Sequence, residues 1–171
     1  MGSHGGCRLN RVITFFRKSA FFKLWFLPVW LLLGVSKALI FLLSFRRLER
    51  LMGKAHGISP VLPLLTALQR KRASQIGHVV RMTARYTPWN SNCYPQAITA
   101  ALLLRLYKLP YLLCFGLKRS EDNSRYLAHA WVASGPVNVT GGFSFNAYTV
   151  VACYLAPGLS TVESSWLNLH E

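Results

Sequence analysis

The stretch YTPWNSNCYPQAITAALLLRLYKLPYLLCFGLKR, residues Tyr86 to Arg119, decides the fold, because its hydrophobic period changes halfway along. Thr87-Pro88 ends any helix before it, since a residue preceding proline is pushed out of the helical region. Ser91 or Asn92 then caps a helix opening near Cys93, with Pro95 in its first turn, where a missing N–H leaves no helical bond unmade. Ala97, Ile98, Ala101, Leu102 and Leu106 give that helix a nearly continuous apolar surface, which stops before Pro110. Tyr111 to Lys118 is then short, apolar and bounded by turn residues, and reads as a strand.

Downstream, Glu121-Asp122-Asn123-Ser124 is a polar turn, followed by a strand over Tyr126–Ala133. Ser134-Gly135-Pro136 turns again into a short strand, Val137–Thr140, and Tyr148–Leu155 makes a fourth. Upstream, Ser59 and Pro60 suit the cap and first position of a helix carrying Leu64, Leu65, Leu68, Ile76, Val79 and Val80, ending near Arg85. Helices first and an antiparallel sheet afterwards define an α+β arrangement. With 171 residues, one folded unit is expected.

The formal charge is +15, from 20 Lys and Arg against 5 Asp and Glu, while 52% of the residues are hydrophobic. That balance suits nucleic acid, an anionic membrane surface or an acidic peptide. The basic residues are scattered among apolar runs with no nucleic-acid motif, so a nucleic-acid partner is not expected. Cys7, Cys93, Cys114 and Cys153 form no C-x-x-C pair, which argues against a zinc knuckle or a thioredoxin-like site. No metal or organic cofactor is suggested, and a reduced, cytoplasmic compartment follows from the same cysteine usage. The opening MGSHGG carries no readable element and is set aside.

From Ala20 to Phe45 the chain is apolar over more than the roughly 20 residues needed to cross a bilayer. Lys23, Lys37, Pro28 and Gly34 interrupt it, and basic residues stand on both sides: Arg11, Arg17 and Lys18 before, Arg46, Arg47, Arg50 and Lys54 after. The charge asymmetry that orients a spanning helix is missing. A helix packed on the domain or a partner ranks first, a membrane-surface anchor second and a true span third. The run is too long for a signal peptide and no small-residue cleavage site closes it.

A cysteine at a helix N-terminus meets the positive end of the backbone dipole, which favours the nucleophilic thiolate. His129, in AHAWVASG, lies on the strand after the cysteine helix, and Ala128 and Ala130 leave room beside its ring. His4 and His170 are terminal, His56 is in a glycine-flanked loop, and His78 is on a helix. Spacing alone does not establish a dyad, since a Cys and a His on apolar elements are more often core residues.

The combination of Pro88-Trp89, Cys93-Tyr94-Pro95-Gln96-Ala97, Leu102 to Leu104, Gly116-Leu117 and Ala128-His129-Ala130-Trp131 resembles the B2 leader peptidases of lasso-peptide biosynthesis. Phe45-Arg46-Arg47-Leu48 is similar to the N-terminal region of the same family. The resemblance implies a transglutaminase-like, papain-like cysteine peptidase core over 58–171, preceded by an apolar helical segment with basic flanks over 1–57. It implies that Cys93 attacks a peptide carbonyl and that His129 serves as base and acid. The substrate would be a leader-core precursor peptide. A separate B1 leader-recognition protein and an asparagine-synthetase-like lasso cyclase would be the partners, with membrane-surface contact through Ala20–Phe45 as a further one.

In that family an Asp about a dozen residues after the His orients the imidazole, and here that neighbourhood reads VNVTGG. Asn138 is the nearest candidate orienter, since an amide oxygen accepts an imidazole N–H in Cys-His-Asn sites. Trp89 and Trp131 are candidates for lining the substrate cleft, with packing as the alternative for both. A catalytically weak or inactive peptide-binding scaffold of the same fold is the rival reading.

Overall fold

In the computed structural model, residues 19–58, 63–122, 124–142, 144 and 146–156 are described. Helix α1 (Ala20–Leu42) starts where the Ser19 hydroxyl accepts from the Phe22 N–H at 3.3 Å. The apolar run breaks at Leu43-Ser44 and resumes as the short α2 (Phe45–Met52). Helix α3 covers Ala67–Ala84 and α4 covers Cys93–Leu106. The strands are β1 (Lys54–Ala55), β2 (Leu112–Arg119), β3 (Tyr126–Ser134), β4 (Val137–Thr140) and β5 (Thr149–Leu155). All pairings are antiparallel, in the order β1-β5-β2-β3-β4. The α+β expectation therefore holds, with strand limits within a residue of those read from the sequence.

The start of α3 is corrected. Thr66, not Ser59, is the N-cap: its hydroxyl accepts from Gln69 N–H at 3.3 Å while the Gln69 side-chain oxygen accepts from Thr66 N–H at 2.9 Å. That reciprocal pair is a capping box, and Thr-x-x-Gln was its signature in the chain. Ser59 and Pro60 lie outside the described residues, and Leu64, taken for a helical apolar position, is 98% exposed ahead of the helix. Strand β1 had no signal in the sequence, being two exposed residues held by pairing with Leu155 and Tyr154.

The sheet buries both faces, which explains why β2 reads as a continuous apolar run rather than an alternating one. One face carries Leu113, Phe115, Ala130, Val132, Val139 and Tyr154, and packs with Val29 and Leu33 of α1, Ile76 and Val80 of α3, and Ile98 and Leu104 of α4. The other carries Leu112, Cys114, Trp131, Cys153 and Leu155. Cys114 and Cys153 are direct cross-strand partners with sulfurs 2.9 Å apart, and this hydrogen bond with Cys153, together with burial, pushes the Cys114 thiol up from its ordinary value. Helix α1 is thus part of the core, and the Ser36 and Thr99 hydroxyls bond across α1 and α4 at 3.1 Å in the buried layer.

Tyr111, buried ahead of β2, donates its hydroxyl proton to the Met52 carbonyl at 2.9 Å and so ties the end of α2 to the sheet. Burial pushes this phenol up to about 12. A folded value raised above the ordinary one means that the contribution is fully present below pH ~10 and is lost as pH climbs towards 12. Tyr111→Phe leaves the buried carbonyl without its donor and is expected to cost about 1–3 kcal/mol. The check is urea unfolding at pH 7, where the midpoint falls; part of the alkaline loss of stability between pH 10 and 12 should disappear as well.

Candidate active site

Cys93 is the first residue of α4, half-buried, with a free thiol. The Asn92 cap makes no side-chain bond to the helix, and Pro95 has no N–H. The N–H of Gln96 reaches the Asn92 carbonyl at 3.4 Å, and the Gln96 side chain donates to the Ser91 carbonyl at 2.7 Å. Among the described residues, the amides of Cys93 and Tyr94 are left open at the helix start. Such amides are the donors an oxyanion needs.

Thr87 holds the approach to this helix. Its hydroxyl lies 3.0 Å from the carbonyls of Ala84 and Trp89 and 2.9 Å from the Ser91 hydroxyl, joining the end of α3 to the start of α4. Tyr94 then packs its ring on Phe115 of β2, centroids 5.4 Å apart. Phe115 is the cross-strand partner of Ala130, and Gly116 is the partner of His129. The start of α4 therefore lies on the helix-facing side of the β2–β3 ladder, while His129 stands on the opposite face of the same ladder with Trp131 and Tyr148. Burial raises the Tyr94 phenol, with the adjacent Cys93 as the lesser cause.

The His129 ring stacks on Tyr148 at 4.8 Å and on Trp131 at 6.0 Å, and those two rings are themselves 6.3 Å apart. Gly116 makes that stack possible: a Cβ there would fall 2.8 Å from the Trp131 ring and 2.8 Å from Tyr148 Cβ. Lys118 sets its ammonium 5.1 Å from the centre of the Tyr148 ring, and Arg119 sits over Tyr126 in the same way at 5.3 Å.

The decisive contact is on the imidazole edge. Nε2 of His129 lies 2.8 Å from the Gly141 carbonyl oxygen, 12 residues further on. A carbonyl only accepts, so Nε2 carries the proton and, in the neutral ring, Nδ1 is left with the basic lone pair. The same carbonyl accepts from the buried Ser144 hydroxyl at 2.6 Å, which fixes its direction. Gly141 has φ of +83°, and a Cβ there would fall 2.4 Å from Trp131 Cβ, so the carbonyl can be presented only by glycine.

This corrects the expectation for Asn138. Asn138 pairs with Ala133, four residues along β3 from His129, and its backbone carbonyl accepts from Arg81 at 3.2 Å. A β-bulge between Val132 and Ala133 shifts the register, and the chain then turns at Gly141 to bring a main-chain oxygen to His129. No carboxylate replaces it among the described residues. Glu49 accepts from the Tyr154 hydroxyl at 2.8 Å, and Asp122 is bound by Ser120 and Ser124 in the β2–β3 turn, which lowers its carboxyl to about 2. One feature of the sequence hints at the carbonyl, the Gly141-Gly142 pair in the place where the resembled family carries an acid.

Trp89 lies against α1, its ring 4.7 Å from Trp30 and so close to Gly34 that a Cβ there would meet it at 2.9 Å. Trp131 is 1% exposed and offers its ring to His129 and Gly116 rather than to solvent. Both tryptophans are thus engaged in packing, Trp89 against α1 and Trp131 inside the sheet face that carries His129. Cys93 and His129 share no hydrogen bond among the described residues, and no group of metal-ligating side chains occurs among them.

A family model described as the transglutaminase-like superfamily matches residues 37–153, well over half of the chain. The chain therefore belongs to the transglutaminase-like superfamily, whose members include cysteine peptidases and transglutaminases. No curated protein and no solved structure matches it.

The tautomer is open to direct measurement. Side-chain 15N shifts of His129 in the folded chain at pH 8 should show Nε2 as the protonated nitrogen. Gly141→Ala should lose that preference and lower stability by about 1–3 kcal/mol, as overpacking does. An Nδ1–H tautomer in the native chain would contradict the Gly141 contact.

Proposed function

We propose that the protein is a cysteine peptidase that removes the leader from a lasso-peptide precursor. The observation that carries the chemistry is the His129 Nε2–H bond to Gly141, which reserves Nδ1 as the base in a transglutaminase-like fold whose cysteine opens a helix. The sequence motifs around Cys93 and His129 supply the substrate class by resemblance.

In this reading His129 Nδ1 takes the thiol proton and Cys93 sulfur attacks the carbonyl carbon of the scissile bond. The oxyanion is held by the open amides of the α4 start. The imidazolium gives its proton to the leaving amine, which departs as the N-terminus of the core peptide, and the leader remains as a thioester on Cys93. Water, deprotonated by the same histidine, adds to the thioester and releases the leader carboxylate. The freed amine is the nucleophile that a separate cyclase joins to a side-chain carboxylate. A leader-recognition protein presents the substrate.

Three observations favour the rival scaffold reading: the orienting group is a neutral carbonyl, the Cys93 thiol and the imidazole are not hydrogen-bonded, and His129 stands on the sheet face opposite the helices, so proton transfer requires the site to rearrange around substrate. One experiment separates them. The full chain is incubated with precursor and leader-recognition protein, and leader and core are followed by mass spectrometry. Cys93→Ala and His129→Ala should each slow leader release by about a thousandfold or more, as losses of a nucleophile or its base do. Unchanged release in Cys93→Ala contradicts the peptidase and leaves the scaffold. A leader fragment carrying the mass of an added amine instead of water would identify acyl transfer.

A further inference from the structure

Helix α1 has two apolar faces, and only one is used by the fold. Phe22, Val29, Leu33 and Ser36 are buried against the domain. On the opposite side Leu24, Leu27, Leu31, Val35, Phe41 and Leu42 are exposed, from 52% at Val35 to 78% at Phe41 and Leu42. Leu24, Leu27, Leu31, Val35 and Leu42 recur at three, four and seven residues and so form one stripe along the helix, with Phe41 at its flank. From Leu24 to Leu42 the stripe runs for about 27 Å at ~1.5 Å per residue. Ala20, Pro28 and Ala38 are the other exposed residues along the stripe, and Lys23 is exposed at its flank on the same side as Phe41, so the centre of the stripe holds no polar side chain. A water-facing helix surface of this kind signals a contact.

Four bonds fasten α1 to the domain along its length. Trp25 Nε1 donates to the Tyr107 hydroxyl at 2.7 Å, and Trp30 Nε1 to the Tyr86 carbonyl at 3.3 Å. Ser36 meets Thr99 at 3.1 Å, and the Lys37 ammonium donates to the Asn90 carbonyl at 2.9 Å. A helix bonded in this way cannot be surrounded by lipid without giving up those contacts. It can, however, lie along a bilayer surface with its free face down.

Charge selects the occupant. The exposed Arg46, Arg47 and Arg50 follow the stripe on α2, Lys23 is exposed near its start, and the whole chain carries +15. A second copy of the chain would bring the same charge to the contact and be repelled. An anionic lipid surface is attracted by it, and the aliphatic stripe asks for no directional bond from its partner. We propose that α1 is an in-plane anchor that binds the protein to an anionic phospholipid surface through Leu24, Leu27, Leu31, Val35, Phe41 and Leu42. The inference is independent of the reaction performed at Cys93.

The test is co-sedimentation of the full chain with vesicles of phosphatidylcholine alone or with a third phosphatidylglycerol, at low and at high salt. The anionic vesicles should take the protein down, and 0.5 M salt should weaken the binding. Leu27→Ser with Leu31→Ser should reduce partitioning by about tenfold or more, each leucine losing its transfer into the interface. The melting curve should hardly move, since neither residue is in the core. Arg46→Glu with Arg47→Glu should weaken binding to the anionic vesicles alone. Failure to bind anionic vesicles at low salt overturns the proposal, as does equal binding by the double serine variant. Two further results would also overturn it: a native dimer that the serine variant turns into monomer without vesicle binding, which assigns the stripe to a second copy, and retention in membranes after alkaline carbonate, which assigns it to a span.

Discussion

The register of the β2–β3 ladder is the constraint from which the site follows. It sets Gly116 opposite His129 and Phe115 opposite Ala130, so the histidine shares a face with Trp131 and Tyr148 while Ala130 lines the helical core. A slip of one residue would turn His129 into the helix-facing layer and send Ala130 to the stack. Burial of β2 on both faces makes such a slip costly, since Leu112 and Leu113 are both fully buried on opposite sides. Register here is fixed by packing on two faces, and the site inherits that precision.

The orientation of the imidazole comes from the main chain. A carboxylate would both direct the ring and stabilise its charged form, whereas a carbonyl directs it with a weaker field. In exchange the carbonyl is held by the turn itself: positive φ at Gly141, the Trp131 backbone behind it and the Ser144 hydroxyl in front leave it little freedom. Such a site keeps the tautomer needed for proton transfer and gives up part of the electrostatic support for the imidazolium. That places a limit on rate which substrate binding or partner proteins must offset if catalysis is to be fast.

Much of this was legible in the chain. The change of period between Leu106 and Tyr111, the proline before the cysteine helix and the turn residues after each strand fixed the element order, because local propensity and burial agree there. The helix start at Cys93 was legible for the same reason. The start of α3 differs from the expected one because Ser59-Pro60 and Thr66-x-x-Gln69 both resemble caps, and only the second has a glutamine three residues on to close a reciprocal capping box. The orienting group could not be read from residue types, since every residue carries a carbonyl. Among side chains Asn138 is the amide acceptor nearest in sequence to the place where the resembled family carries an acid, whereas the bulge in the β3–β4 pairing and the left-handed turn at Gly141 belong to the backbone. The two-faced character of α1 was equally invisible, as a run apolar all round does not disclose which side the domain covers.

The most direct test of the central claim is the rate at which iodoacetamide alkylates Cys93 at pH 7 in the full chain, read by peptide mass spectrometry, with buried Cys114 and Cys153 as internal references. If His129 is the base for Cys93 and Gly141 its orienter, His129→Ala should slow the reaction about tenfold or more, while Asn138→Ala should leave it unchanged. A Cys93 rate indifferent to His129, or one that falls with Asn138→Ala, would contradict the account.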